Sequence, residues 1–398
     1  MKNVRYIADN ITISNDTRLT GLNNNDLIIG ASGAGKTGGY VIPNIQNITG
    51  SMVVSDTKGR LCKMFKAELE AKGYDVYTLD FVDPLNSFGY NPFDGIRRYT
   101  DGKFREQDIL TLANTLMPCL DRIEPFWEQA AASYIAFLIS YCLEALVPEE
   151  HNMVGLCKLH QTFIKPGGEL SFMEWVERNP DTFAAKKYHK IESITKADRT
   201  WSCILEFANR AFEPFEFKEV YHIFKSDNYF DICSLGKKKT VLFLNISDTD
   251  RTFDRLANVF HTQALQLLCS LADSNTDGRL KIPVRIILDD FASSAVIPDF
   301  DKTISIIRSR EISVSIILQS LTQLETLYAP PVATTIINNC DHILYLGCQD
   351  IHTASYIGQR LGKLPESVLA MPRNLAVLIT GGEMGKVVKK ILPYSTVK

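Results

Sequence analysis

Short apolar runs rich in β-branched residues recur along the chain and end in turn-forming or polar residues. Leu27, Ile28 and Ile29 close on a Gly-rich turn, and Met52, Val53 and Val54 run into Asp56. Tyr74–Leu79, Thr240–Ile246, Val284–Leu288, Val314–Leu318 and Ile343–Leu346 repeat the pattern. Such runs read as strands buried on both faces, and most of the segments between them have helical length and amphipathic spacing. That order predicts an α/β protein with a mostly parallel sheet covered by helices. From Pro148 to Asp231 the pattern changes. β-branched runs stop, and apolar side chains recur at helical spacing at Leu156, Leu159 and Phe163 and again at Phe172, Trp175 and Val176. We therefore expect an all-α domain over 148–231, inserted between a first part (1–147) and a second part (232–398) of the sheet-containing domain.

The turn after the first run carries chemistry. Gly30-Ala31-Ser32-Gly33-Ala34-Gly35-Lys36-Thr37 fits G-x-x-x-x-G-K-[ST], placed after a predicted strand and before a predicted helix. In a P-loop of this kind the backbone N–H groups of Gly30, Ser32, Gly33, Ala34 and Gly35 turn toward phosphates. Lys36 then reaches the β/γ-phosphates, and the Thr37 hydroxyl ligates Mg²⁺. The first part of the sheet domain is accordingly expected to bind ATP with Mg²⁺.

A second carboxylate is required on the metal side, and the run Arg285–Leu288 ends in Asp289-Asp290. Asp289 is the expected metal-side acid. Asp290 follows at the position where P-loop motors with an additional strand usually carry a water-activating Glu, and it is one methylene shorter. The competing reading is that both aspartates cap the next helix. Val314–Leu318 ends in Gln319-Ser320, which makes Gln319 a candidate to sense the γ-phosphate or place water, or else a helix cap. Arg308 and Arg310 end a helical segment upstream. Either is a candidate arginine finger for a neighbouring copy's site, or part of a solvated helix C-terminus.

Composition narrows the classes. At 398 residues, 45% hydrophobic and 22% charged, the chain is an ordinary globular protein with room for two or three domains, so disorder is excluded. A net charge of −3 gives no overall positive field, which confines any DNA contact to a local patch or pore. The longest apolar stretch, Tyr134–Val147, contains Glu144 and is shorter than the ~20 residues of a spanning helix. No signal-peptide pattern opens the chain, so a cytoplasmic protein is expected. Nine scattered Cys without a C-x-x-C pair speak for reduced thiols rather than disulfides or zinc. Asp56 and Lys58 are either nucleotide or neighbour contacts or a plain turn. Trp127, Trp175 and Trp201 read mainly as core, and Lys186, Lys187, Lys190, Lys196 and Arg199 as a solvated face with phosphate contact as the rival.

Further sequence features join the P-loop in order: Tyr40-Val41-Ile42-Pro43-Asn44, Val53–Gly59, Tyr90-Asn91-Pro92-Phe93, Phe126-Trp127, Leu288–Ala292, Ile307–Ser313, Ile317–Ser320, Asn338–Asp341 and Leu346-Gly347. In this order the chain resembles the type IV secretion coupling proteins, the TraG/TraD-like conjugation ATPases, from about Gly21 to Pro393. The resemblance implies a RecA-like P-loop NTPase interrupted by an all-α domain and assembled as a homo-hexamer around DNA. It implies ATP hydrolysis coupled to delivery of relaxase-bound, single-stranded DNA to a type IV secretion channel at the inner face of the bacterial cell membrane. Relaxase and channel proteins are the implied partners, with membrane association through a partner and a monomer in the absence of DNA or nucleotide. Two departures stand out: the N-terminal membrane helices of most members are not in this sequence, and Asp290 stands where many have Glu. The rival functions are a nucleotide-gated recruiting adaptor with negligible turnover and an FtsK/HerA-like DNA translocase.

Overall fold

A computed structural model describes residues 3–121, 123–226, 228–247, 249–291 and 296–391. Ala292 and Pro393, named above, lie outside the described residues. Eleven strands are formed among those described: β1 (Val4–Ala8), β2 (Ile11–Ser14), β3 (Asp26–Ile29), β4 (Ser51–Asp56), β5 (Asp75–Asp80), β6 (Thr240–Asn245), β7 (Val284–Leu288), β8 (Ile312–Leu318), β9 (His342–Tyr345), β10 (Leu375–Thr380) and β11 (Lys386–Lys389). β1 and β2 make a small antiparallel pair. The rest form one sheet in the order β11-β10-β9-β3-β8-β7-β4-β6-β5. From β9 to β6 every neighbouring pair is parallel, and β10 runs antiparallel to both β9 and β11. Six of the seven apolar runs read from the sequence are these parallel strands, each fully buried as its lack of alternation requires. The seventh, Tyr74–Leu79, forms β5 at the edge of the sheet and is largely half-exposed there, because an edge strand has a neighbour on one side only. The two hairpins, β1–β2 and β10–β11, add what the runs did not predict.

The chain divides into two compact units. The first, residues 1–78, 231–251 and 264–398, carries the sheet strands apart from the end of β5. The second, residues 79–230 and 252–263, is built mainly of helices. The helices of the 148–231 region lie in this second unit, as does the long helix Phe126–Ala145, which is nearly all apolar because other helices surround it. Its Tyr134, Phe137 and Tyr141 rings meet Trp201 at 5.2 Å, Phe163 at 5.8 Å and Trp175 at 4.9 Å. Trp175 and Trp201 are thus bound into an aromatic core. In the same unit Tyr90 donates to Gln263 Oε1 (2.6 Å) and Gln263 Nε2 donates to the Pro92 carbonyl (2.6 Å), so the Tyr-Asn-Pro-Phe run serves packing. Lys187 lies beneath the surface with its ammonium over the Phe183 ring. Among the described residues no helix is long and apolar enough to cross a membrane, and no His/Cys/Asp/Glu group is placed to hold a metal ion.

The amino edge of the sheet is tied by a buried ion network. Asp26 opens β3 at 2% exposure and accepts from Arg5 Nε at 2.9 Å, Arg285 at 3.1 Å and the Tyr40 hydroxyl at 2.5 Å. Burial pushes its carboxyl pKa up, and the Arg5 and Arg285 charges outweigh this and leave it below the usual range. The network joins β1, β3 and β7 to Tyr40 on the segment that follows the P-loop, and so fixes where β3 delivers that loop.

His342 of β9 completes it. The Arg5 guanidinium, a donor only, bonds His342 Nδ1 at 2.8 Å, which makes the ring a neutral acceptor there. Burial draws its pKa down to about 4 against the partial pull of Asp26. Since the unfolded ring titrates near 6.5, the unfolded chain binds the extra proton between those values, and stability must fall as pH falls from ~6.5 to ~4. The share of His342 is on the order of 3 kcal/mol. Urea midpoints at pH 7 and pH 4.5 should show it, and His342→Asn, which keeps an acceptor and removes the titration, should flatten the drop.

Candidate functional site

Because β9, β3, β8, β7, β4 and β6 are parallel, the loops that follow them emerge on one edge. β8 lies between β3 and β7, with Ile29 opposite Leu318 and Leu288 opposite Ile316. The P-loop, Gln319 and the Asp289-Asp290 pair therefore arise side by side, at the carboxyl edge where open α/β sheets bind ligands.

The P-loop conformation depends on its glycines. Gly33 (φ +75°) and Gly35 (φ +94°) adopt left-handed backbone that L side chains resist. A Cβ on Gly30 would lie 2.9 Å from Ala34 Cβ and 3.0 Å from Leu346 Cβ. The loop is pinned from both neighbouring strands, by Gly30 N–H to Leu318 O (3.0 Å) and Ala31 N–H to Gly347 O (2.8 Å). Lys36 Nζ donates to the Gly30 and Ala31 carbonyls at 2.7 and 3.2 Å. Burial lowers its pKa, with Asp289 and Asp290 opposing. After the loop the chain makes one π-helical turn, Thr37–Val41, closed by Ile42 N–H on Thr37 O, and continues as the helix Ile42–Gln46.

Opposite the loop, Thr37 Oγ1 donates to Asp289 Oδ2 at 3.2 Å, and the Asp290 N–H donates to Asp289 Oδ1 at 3.0 Å. Burial raises the Asp289 pKa, while the Thr37 hydrogen bond and the Lys36 charge hold it back. A hydroxyl and a half-buried carboxylate so paired, beside an ammonium and a Gly-rich loop, form a donor set suited to Mg²⁺ and phosphate oxygens. Asp290 sits in left-handed backbone (φ +51°), and Gln319 Nε2 approaches its Oδ1 at 3.5 Å. The cap of the helix Leu321–Tyr328 is supplied by Ser320, which accepts from Gln323 N–H. Gln319 is thus not the cap, and its side chain faces Asp290.

Arg308 and Arg310 lie elsewhere. They precede β8, so a seven-residue strand of roughly 23 Å separates them from Gln319. Arg308 is exposed and donates to Gly21 O at 2.5 Å. Arg310 is held by Asp273 at 2.8 and 3.1 Å. Within one chain neither is brought to the P-loop. Asp56 accepts from the Lys58 and Leu61 backbone N–H groups at 3.2 and 2.6 Å and shapes the turn into the helix Leu61–Ala71. Asn339 and Asp341 bond the Asn23–Asn25 segment ahead of β3, a positioning role. One residue at the site has no counterpart in the sequence reading: Lys390, whose ammonium reaches the Ala34 and Leu346 carbonyls.

The family model for type IV secretory system conjugative DNA transfer matches residues 7–365. Among curated relatives, the protein VirD4 of Agrobacterium fabrum is 22% identical over 341 residues, which is 84% of this chain and 49% of that protein, so the chain spans about half the length of the relatives it matches. Among solved structures, the unbound bacterial conjugative coupling protein TrwBdeltaN70 superposes with a TM-score of 0.70 at 16% identity, covering 97% of this chain and 88% of that one. The plasmid coupling protein TrwB in complex with ADP and Mg²⁺ gives 0.66 at 18%, covering 92% and 84%. At these identities the likeness to the solved structures is one of fold.

Proposed function

The chain belongs to the type IV secretory system conjugative DNA transfer family, and we propose that it is an Mg-ATP-hydrolysing coupling ATPase that recruits relaxase-bound single-stranded DNA for delivery to a secretion channel. The observation that carries this reading is the meeting of the P-loop with Asp289, through Thr37 at 3.2 Å, beside an Asp290–Gln319 pair on the intervening strand's edge. The TrwB complex with ADP and Mg²⁺ supports the choice of ligand.

In this reading Lys36 exchanges the Gly30 and Ala31 carbonyls for the β/γ-phosphates, and Thr37 and Asp289 hold the metal. Bound Mg-ATP supplies the phosphoanhydride and the metal charge that offsets its oxygens. Asp290 accepts the proton of the attacking water, and Gln319 fixes the Asp290 carboxylate and that water in line. Every other role is positional: Ser320 and Gln323 hold the strand-end turn, and the Asp26 network holds the start of β3.

The distance of Arg308 from its own P-loop fits action on a neighbouring copy, in a ring of six at the cytoplasmic face of the membrane. Arg308 is favoured over Arg310, because Arg310 already gives two donors to Asp273. Arg308→Ala should bind Mg-ATP like the parent and lose most turnover, since removal of an arginine finger costs ~10³-fold or more. Mixed with Lys36→Ala under conditions where rings form, it should regain part of the activity, each chain supplying what the other lacks. Absence of rescue in such rings would remove Arg308 from the mechanism.

A further inference from the structure

The β10–β11 hairpin returns the chain to the P-loop. Lys389 O accepts from Asp9 N–H at 2.9 Å, and Lys390 N–H donates to Asn374 O at 3.0 Å, so the backbone at Lys390 is fixed on both sides. The next carbonyl, Ile391 O, lies 2.9 Å from where a Cβ on Gly39 would stand, which keeps this segment tight against the turn that follows the P-loop. From there the half-buried Lys390 ammonium donates to Leu346 O at 2.5 Å and to Ala34 O at 3.3 Å. Both partners are carbonyls, and burial lowers its pKa. An ammonium is costly to bury in this way unless its position does something.

Its effect follows from peptide geometry. In a trans peptide the C=O and the following N–H point in opposite directions. A bond that draws Ala34 O outward therefore turns the Gly35 N–H inward, into the concavity of the loop. Gly35 itself, at φ +94°, offers little torsional resistance to the opposite orientation. Its own carbonyl is held by Gly39 N–H at 2.7 Å and the Ala34 N–H by Ala31 O at 3.0 Å, which leaves the Ala34–Gly35 peptide as the unit that Lys390 sets. Leu346 O, the second acceptor, belongs to the turn that also supplies Gly347 O to Ala31 N–H, so one ammonium ties the hairpin, that turn and the loop together.

We propose that Lys390 is a positioning residue of the nucleotide site, which orients the Gly35 N–H toward the phosphates by pinning the Ala34 carbonyl. The proposal rests on the reading that this P-loop binds Mg-nucleotide. Calorimetric titration of the full chain with Mg-ADP and Mg-ATP tests it. Lys390→Met should weaken both nucleotides by the same factor, about tenfold, because the Gly35 N–H serves phosphates common to both. The nucleotide-free melting temperature should stay within about 3 °C of the parent, and Lys390→Arg, which keeps donors and charge, should recover most of the affinity. In the parent, the Gly35 amide resonance should shift on saturation with Mg-ADP. Parent-like affinity in Lys390→Met, or a Gly35 amide that does not respond while Mg-ADP binds, overturns the role of Lys390, and the second readout holds even if Lys390→Met does not fold. A parent that binds neither nucleotide overturns the nucleotide reading itself, and this one with it.

Discussion

Mg-ATP binding is expected to fall at least ~100-fold in Lys36→Ala. Lys36 is the cation that the loop itself carries, with its ammonium on the Gly30 and Ala31 carbonyls. A charge-assisted hydrogen bond is worth roughly 1.5–3 kcal/mol, and its ammonium is placed to make two of them to phosphate oxygens. The fold should tolerate the change at a modest cost, because the Ala31 carbonyl that Lys36 now satisfies is partly exposed to water, and the buried Gly30 carbonyl is the one partner lost. Calorimetric titration of the variant with Mg-ATP checks this, and parent-like affinity would mean that the loop does not hold the phosphates.

The second large effect is at Asp290. Asp290→Asn should lose turnover by roughly 10²–10⁴-fold, the usual contribution of a general base, and should bind Mg-ATP within a few-fold of the parent. Asn suits the left-handed backbone (φ +51°) as well as Asp does, so the loss reads chemistry rather than folding. Asp290→Glu sets two magnitudes against each other. The longer reach closes a gap of about 1 Å, which is worth up to ~100-fold in rate. The left-handed position costs a longer side chain on the order of 1 kcal/mol of stability. Turnover should therefore rise while the melting temperature drops slightly. Steady-state hydrolysis and thermal melts of the two variants check both halves. Asp290→Asn turning over like the parent would move the base elsewhere, with Gln319 the next candidate.

The strands β3, β4, β6, β7, β8 and β9 were legible because burial on both faces leaves a continuous apolar run, and the P-loop because its chemistry dictates residues at fixed spacing. Asp289 and Asp290 were legible as a polar pair ending such a run. The β10 run is just as apolar, Leu375–Thr380, yet no catalytic motif follows it to mark its place. β1 was obscured by Arg5, a charged residue that points inward because Asp26 waits there, a pairing that only the fold brings about. The separation of Arg308 from Gln319 was open to sequence arithmetic, since a continuous strand between two residues puts them on opposite edges of the sheet. Lys390 was not legible, because its role depends on where a hairpin far along the chain comes to rest.

The central claim is that this P-loop, Asp289 and Asp290 hydrolyse Mg-ATP in the service of DNA transfer. Steady-state phosphate release by the full chain, with and without single-stranded DNA and with Lys36→Ala as the background, tests it most directly. The account predicts slow basal turnover, accelerated by DNA and absent in Lys36→Ala. Phosphate release that stays at the Lys36→Ala level with DNA present, while Mg-ATP still binds, would contradict it and leave a nucleotide-gated recruiting adaptor in its place.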